Sequence, residues 1–204
     1  MNINDTYKTL AGESKGIYKD RGSRFIAHAY PVSSEEEIKL ILKTIKKKYH
    51  NARHHCYAYR LGVEKVIYRT NDDGEPSNSA GKPILTQIKK NSLTNIVVVV
   101  IRYFGGTLLG FGGLINAYSS ATADALTNAS IQTKTINNIY ELQFSYTSMN
   151  NVMKVINEEK LTQVEHKFDL NSSIKISVRK SRSKNVVDRL DQIEGLKIRY
   201  LGSG

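Results

Sequence analysis

Hydrophobic and polar positions alternate along most of this chain, and one stretch breaks the pattern. Ile96-Val-Val-Val-Val-Ile101 is apolar at every position, which implies a strand buried on both faces. Upstream, residues 24–32 alternate well enough for a strand. Ser33 or Ser34 then caps a helix with Glu35 to Glu37 in its first turn and Lys46 to Lys48 in its last. That polarity suits the helix dipole. Ile38, Ile41, Leu42 and Ile45 form the apolar stripe. Residues 54–61 and 63–69 read as a hairpin around Gly62, and residues 70–83 as a polar loop rich in turn formers. Pro83 opens a short helix to about residue 90. A longer helix runs from about residue 112 to residue 128.

Around residues 129–138 the chain turns polar, and the domain boundary is placed here, giving domains 1–134 and 135–204. The rest reads strand (139–146), helix (149–159), strand (162–168), strand (173–178), helix (184–193), strand (196–201). That is the ferredoxin-like βαββαβ order. The fold class is therefore α+β.

Composition narrows the classes. The chain has 204 residues, 40% of them apolar, enough to build a core. No apolar run approaches the roughly 18 residues of a membrane span, and the first residues lack the pattern of a secretory signal. A single cysteine, Cys56, excludes an internal disulfide and fits a reducing cytoplasm. The net charge is +11. Through residue 140 there are 19 Lys and Arg against 11 Asp and Glu, a net of +8; thereafter 11 stand against 8, a net of +3. An excess of this size favours polyanions such as RNA or ribosomes, and it also serves solubility.

Candidate chemistry gathers around the apolar strand. After Arg102, Tyr103 and Phe104, five glycines follow within nine positions: Gly105, Gly106, Gly110, Gly112 and Gly113. A strand, a glycine loop and a helix start can cradle an anion on free N–H groups; close packing of the three elements explains the glycines equally. The loop is not a nucleotide motif. Gly105 to Gly110 is followed by Phe111 where a phosphate loop needs lysine. Ile115 stands where a dinucleotide fingerprint needs glycine or alanine. Asp72, Asp73 and Glu75 can hold a metal, serve acid–base chemistry, order their own loop or pair with Arg102. His54 and Cys56 share one face of a strand, where they read as structural residues. His55 is expected at the surface. Tyr57, Tyr59, Tyr68, Tyr103 and Phe104 interleave with Arg53, Arg60, Arg69 and Arg102, a mixture that suits single-stranded RNA. On strands, however, one set of alternate residues must be core.

The chain resembles the YigZ/IMPACT family. The residues that carry the resemblance are Ser23-Arg-Phe-Ile26; His54 with Cys56-Tyr-Ala-Tyr59; Asp72-Asp-Gly-Glu-Pro-Ser77 with Ala80-Gly-Lys-Pro83; and Arg102-Tyr-Phe-Gly-Gly106 with Leu109-Gly110, Gly112-Gly-Leu114 and Ala117-Tyr118. The resemblance implies an N-terminal α/β domain folded like a small-subunit ribosomal protein domain and like the fourth domain of elongation factor G. It implies a C-terminal ferredoxin-like domain as in bacterial members. It also implies a role in translation, because the eukaryotic relatives are regulators that compete for a ribosome-associated activator of a starvation-sensing kinase. Relatives often carry basic residues where Leu108 and Asn116 stand, and a small hydroxyl residue where Phe111 stands, so this copy lacks positive charge beside its glycine loop.

The reading that results is a cytoplasmic, non-catalytic, translation-associated protein that binds RNA, ribosomes or a translation-factor partner, with no cofactor, no metal and no membrane. Its candidate binding residues are Asp72, Asp73, Glu75, Ser77, Lys82, Arg102, Tyr103 and the five loop glycines, facing a shared groove, with His54 and Cys56 in secondary roles. The alternative is a metal- or phosphate-dependent hydrolase using the 72–75 carboxylates and His54. A third reading makes the ferredoxin-like sheet the partner surface, which an exposed apolar patch there would support.

Overall fold

The computed structural model describes residues 5–167 and 171–203. In chain order the elements are β1 (Thr6–Leu10), β2 (Ser14–Asp20), β3 (Ser23–Pro31), α1 (Glu35–Lys48), β4 (His54–Leu61), β5 (Ile67–Asn71), α2 (Gly81–Lys90), β6 (Ile96–Tyr103), α3 (Gly110–Thr127) and β7 (Ile131–Thr135). Then follow β8 (Asn137–Ser145), α4 (Met149–Glu158), β9 (Thr162–Lys167), β10 (Asn171–Arg179), α5 (Ser183–Leu190) and β11 (Lys197–Ser203). These elements form two compact units, residues 8–133 and residues 134–204 with the start of the chain. Asp5 belongs with the second unit for a physical reason: Arg179 donates from Nε to its carboxylate at 2.6 Å, and its carbonyl accepts from the Ile136 N–H at 2.6 Å. The hydrogen bond from Arg179 holds the Asp5 carboxyl down at about 2.

The first unit is a five-stranded antiparallel sheet, order β2-β3-β6-β4-β5. The apolar run is its middle strand. Even positions of β6 (Ile96, Val98, Val100) pack with Ile84 and Ile88 of α2 and with Ala117, Tyr118 and Ala121 of α3. Odd positions (Val97, Val99, Ile101) pack with Ile38 and Ile45 of α1. Helices thus cover both faces, which explains a continuous apolar strand in an antiparallel sheet. Helix α1 is capped as its sequence predicts: Ser34 Oγ accepts from the Glu37 N–H at 3.2 Å.

The second unit is a four-stranded antiparallel sheet, order β11-β8-β10-β9, with α4 and α5 packed on Leu142, Phe144, Ile174, Ile176 and Val178. This is the expected βαββαβ arrangement; the last residue of the strand expected over 162–168 lies outside the described residues. The other face of that sheet carries a cross-strand row of alternating charge. Lys175 stands opposite Glu165 and Glu141, and Arg199 opposite Glu141; Lys175 Nζ lies 2.6 Å from Glu165 and Arg199 Nη2 2.8 Å from Glu141. It is not the apolar patch the third reading needed. No helix among the described residues is long and apolar enough to cross a membrane.

Strands β1, β2 and β7 depart from the expected pattern. β2 is an edge strand whose burial alternates, but its buried positions are Ser14 and Gly16, so no apolar alternation shows in the sequence. That glycine is required by packing: a Cβ there would lie 2.2 Å from the Ala125 nitrogen of α3. Gly12, by contrast, has open space around it. Gly16→Ala is expected to lower stability by about 1–3 kcal/mol, as overpacking does, and Gly12→Ala to stay within about 0.5 kcal/mol. Urea unfolding midpoints of the two variants check this.

Candidate functional site

The site is built at the end of β6 by a turn that follows β5. The Glu75 N–H donates to the Asp72 carbonyl at 2.9 Å, with Asp73 at φ 40° and Gly74 at φ 87°. Two left-handed residues at the centre of a four-residue turn suit Asp-Gly. The Asp72 carboxylate then caps the start of α2 from a distance. Its Oδ1 accepts from the Ala80 and Gly81 N–H groups at 3.0 and 2.8 Å, and its Oδ2 from Asn78 at 2.9 Å. Asn78 sits at φ 65°, a backbone that asparagine tolerates. Asp73 faces β4 instead: its Oδ2 accepts from the His55 N–H at 2.7 Å, and its carbonyl from His54 Nδ1 at 2.8 Å. Both aspartates therefore order the loop.

Glu75 turns inward. Its Oε1 accepts from Arg102 Nη1 at 2.7 Å and from the Tyr118 hydroxyl at 2.8 Å. The Arg102 and Glu75 side chains are 6% and 4% exposed, so this is a buried ion pair. The Arg102 guanidinium also lies 5.4 Å from the Phe25 ring and 5.5 Å from the Phe104 ring. Cys56, fully buried, has its Sγ 3.3 Å from the Tyr118 hydroxyl and 3.0 Å from the Asp72 carbonyl. Burial first, then the nearby carboxylates, push its thiol well above the ordinary value, so it offers no thiolate nucleophile near neutral pH. Burial likewise pushes the Tyr118 hydroxyl far up.

The glycines divide by role. Gly105 packs against the β2–β3 turn: a Cβ there would lie 1.9 Å from the Gly22 carbonyl carbon, and its N–H donates to Ser23 Oγ at 3.2 Å. Gly106 and Gly110 take positive φ, 89° and 71°. Gly112 has open space, and Gly113 meets only Leu109. The close approach is thus to the β2–β3 turn rather than between strand and helix. Tyr103 bonds Asn51 through its hydroxyl at 2.9 Å and lies under the Arg24 guanidinium, 4.9 Å away. Ser77 and Lys82 are exposed, and Ser77 Oγ accepts from its neighbour Asn78 at 3.2 Å.

Several expectations are corrected. Arg102 meets one of the three carboxylates expected to hold it, Glu75, and its side chain is only 6% exposed, so it reaches a small pocket rather than a groove shared with Asp72 and Asp73. His55 is buried, because α1 ends over it and its Nε2 bonds the Tyr49 carbonyl at 3.1 Å; burial lowers its pKa. Neither set of β4 residues is free: Cys56 and Ala58 face α2 and α3, while Tyr57 and Tyr59 face α1. Tyr59 bonds Glu35, and burial pushes its hydroxyl up to about 12. No cluster of three or more His, Cys, Asp and Glu fit for a metal occurs among the described residues.

Of the rim around this frame, the residue patterns revealed Arg53, Tyr103 and Phe104 but not Lys19, Arg21, Arg24 or Leu108. Lys19, Arg21 and Arg24, with the single acid Asp20, line an open groove of about 490 Å³ beside Tyr103. Arg53 stands at a smaller pocket with Phe104 and Leu108. All four cations are exposed, and none has a carboxylate within ion-pair distance among the described residues. Phe104 and Leu108 are exposed beside Arg53, Leu108 by 81%, and Phe111 in the first turn of α3 is exposed as well. The first turn of α3 has no side-chain cap. A second missed cluster sits on the α1 face: buried His28 bonds Glu13 at 3.0 Å and the Tyr49 hydroxyl at 2.8 Å, and burial lowers its pKa. Nothing in the spacing of those residues foretells it.

Sheet order, covered faces and the carboxylate–arginine frame define an α/β unit of the Impact type joined to a four-stranded ferredoxin-like unit. Residues 21–126 match the family model described as the Impact N-terminal domain. IMPACT family member YvyE of Bacillus subtilis is 37% identical over 161 residues, covering 79% of this chain and 73% of that protein. IMPACT family member YigZ of Escherichia coli is 35% identical over 138 residues, covering 67% and 68%. The chain belongs to the IMPACT family. A solved structure described as a hypothetical protein superposes with a TM-score of 0.76 at 25% identity, over 98% of this chain and 99% of its own.

If Asp72 serves as the remote cap of α2, Asp72→Ala lowers stability by about 1.5–3 kcal/mol, the range of a charge-assisted hydrogen bond. It also speeds native-state hydrogen exchange at Asn78, Ala80 and Gly81. Ser77→Ala, four residues before α2, leaves both unchanged.

Proposed function

We propose that this chain is a non-catalytic, translation-associated protein that binds RNA, on ribosomes or free, through the rim at the end of β6. The observation that carries the reading is the set of exposed cations Lys19, Arg21, Arg24 and Arg53, without an ion-pair partner among the described residues, with Tyr103 beside the first three and Phe104 and Leu108 beside Arg53. Cations without acidic partners suit phosphates, which position a nucleic acid, and exposed rings suit unpaired bases. The net charge of +11 draws polyanions to the surface. The role in translation rests on the family resemblance.

The carboxylates that a hydrolase would use are engaged elsewhere. Asp72 accepts three backbone N–H groups, Asp73 one, and Glu75 pairs with Arg102. They do not converge on a common point, so the site supplies a rigid support rather than a set of free acids.

The test is co-sedimentation with ribosomes from the same cells across a salt series. The wild-type chain is expected to bind with affinity falling steeply as salt rises. Replacing Arg21, Arg24 and Arg53 together by alanine flattens the log–log slope by about 0.7–0.9 per lost phosphate contact and leaves the urea midpoint unchanged. Co-sedimentation indifferent to both salt and the triple substitution refutes the reading.

A further inference from the structure

Beside the Glu75–Arg102 pair the fold leaves a pocket of about 220 Å³, with Arg53, His54, Glu75, Arg102, Phe104 and Leu108 in its lining. It is smaller than the ~300–1,000 Å³ typical of sites for drug-sized ligands, and suits one planar group. Its walls are apolar, from the exposed ring of Phe104 and the exposed side chain of Leu108. Its floor is polar, and part of the hydrogen-bonding capacity there is unused. Glu75 Oε1 takes both the Arg102 and Tyr118 donors, while Oε2 accepts none among the described residues. His54 Nδ1 faces a carbonyl, the Asp73 oxygen, and so carries the proton; in the neutral ring this leaves the lone pair on Nε2, 4.0 Å from Glu75 Oε1. Arg102 donates to Glu75 from Nη1 alone among the described residues, and its Nε is buried beneath the floor. The floor therefore offers acceptors beside a guanidinium, under an aromatic wall.

We propose that this pocket takes one unpaired guanine from single-stranded RNA, a reading that rests on the RNA-binding function above. The Watson–Crick edge of guanine presents two adjacent donors, N1–H and the 2-amino group, next to the O6 acceptor. The two donors match Glu75 Oε2 and the neighbouring acceptor, and O6 faces the guanidinium. Adenine and cytosine each set a ring lone pair beside their single amino group, and that lone pair repels a carboxylate. Uracil offers one N–H flanked by two carbonyls. An extruded base is read in this way, by hydrogen bonds to its pairing edge and by stacking. The outer face of Phe104 supplies the stacking surface, and Arg53 at the mouth is placed for the adjoining phosphate.

Fluorescence anisotropy with two labelled 12-nucleotide RNAs, one all uridine and one with a single central guanosine, tests this at fixed low salt. The full chain is expected to bind the guanosine strand about tenfold or more tightly, the range of a bidentate base contact. Phe104→Ala, which removes the stacking ring but none of the hydrogen bonds among Glu75, Arg102 and Tyr118, is expected to reduce that preference to within about threefold, with the chain still folded as judged by its urea midpoint. Equal affinity of the wild-type chain for both strands overturns the guanine pocket and leaves the RNA reading standing. Failure to bind either strand overturns both.

Discussion

One buried ion pair holds this site together. Glu75 comes from a turn after β5, Arg102 from the end of the central strand, and Tyr118 from the middle of α3; a single carboxylate oxygen joins all three. Taking two charges out of water costs several kcal/mol per ion, and only good geometry with further hydrogen bonds offsets it. The Tyr118 hydroxyl supplies such a bond, and the Phe25 and Phe104 rings flank the guanidinium. The rest of the loop follows from the same constraint. With Glu75 fixed, the turn places Asp72 at the start of α2 and Asp73 against β4, where each satisfies backbone donors that would otherwise lack partners.

This arrangement separates support from contact. The most conspicuous charged residues of the sequence, the 72–75 carboxylates and Arg102, are committed first to the backbone and to one another, with only the Glu75–Arg102 pair reaching a pocket. The groups left facing solvent are less conspicuous: Arg21 and Arg24 on and after a tight turn, Arg53 ahead of a strand, and the apolar side chains of 104–111. Gly105 links the two sets, because only a residue without a side chain lets the loop after β6 lie on the backbone of the β2–β3 turn. Arg24 and Tyr103 are register partners on neighbouring strands, which brings the cation over the ring.

Much of the fold was legible in the sequence because burial leaves a periodic signature. The six-residue apolar run read as a strand covered on both faces, and Ser34 with Glu35 to Glu37 read as a helix start; both are found. The βαββαβ order of the second unit was readable for the same reason. Strands β1, β2 and β7 left no apolar alternation to read: β1 buries only its last two residues, the buried positions of β2 are Ser14 and Gly16, and β7 is mostly exposed. At the site, the sequence showed that Arg102 and the carboxylates belong together but not which acid meets the arginine. That choice is made by left-handed backbone at Asp73 and Gly74, which aims Glu75 inward. Tyr118 was hidden as one more residue of a helix stripe, and the rim was legible only at Arg53, Tyr103 and Phe104, because it is assembled from the β2–β3 turn, the residue before β4 and the end of β6, far apart in the chain.

The central claim is that Glu75 and Arg102 act as one unit on which the loop and the rim depend. A double-mutant cycle in urea, with Glu75→Gln, Arg102→Met and both together, tests it most directly. The account predicts strong coupling, about 2–3 kcal/mol, with the double variant no less stable than the weaker single one, as for a shared buried pair. Additive losses, with coupling within about 0.5 kcal/mol, would contradict it.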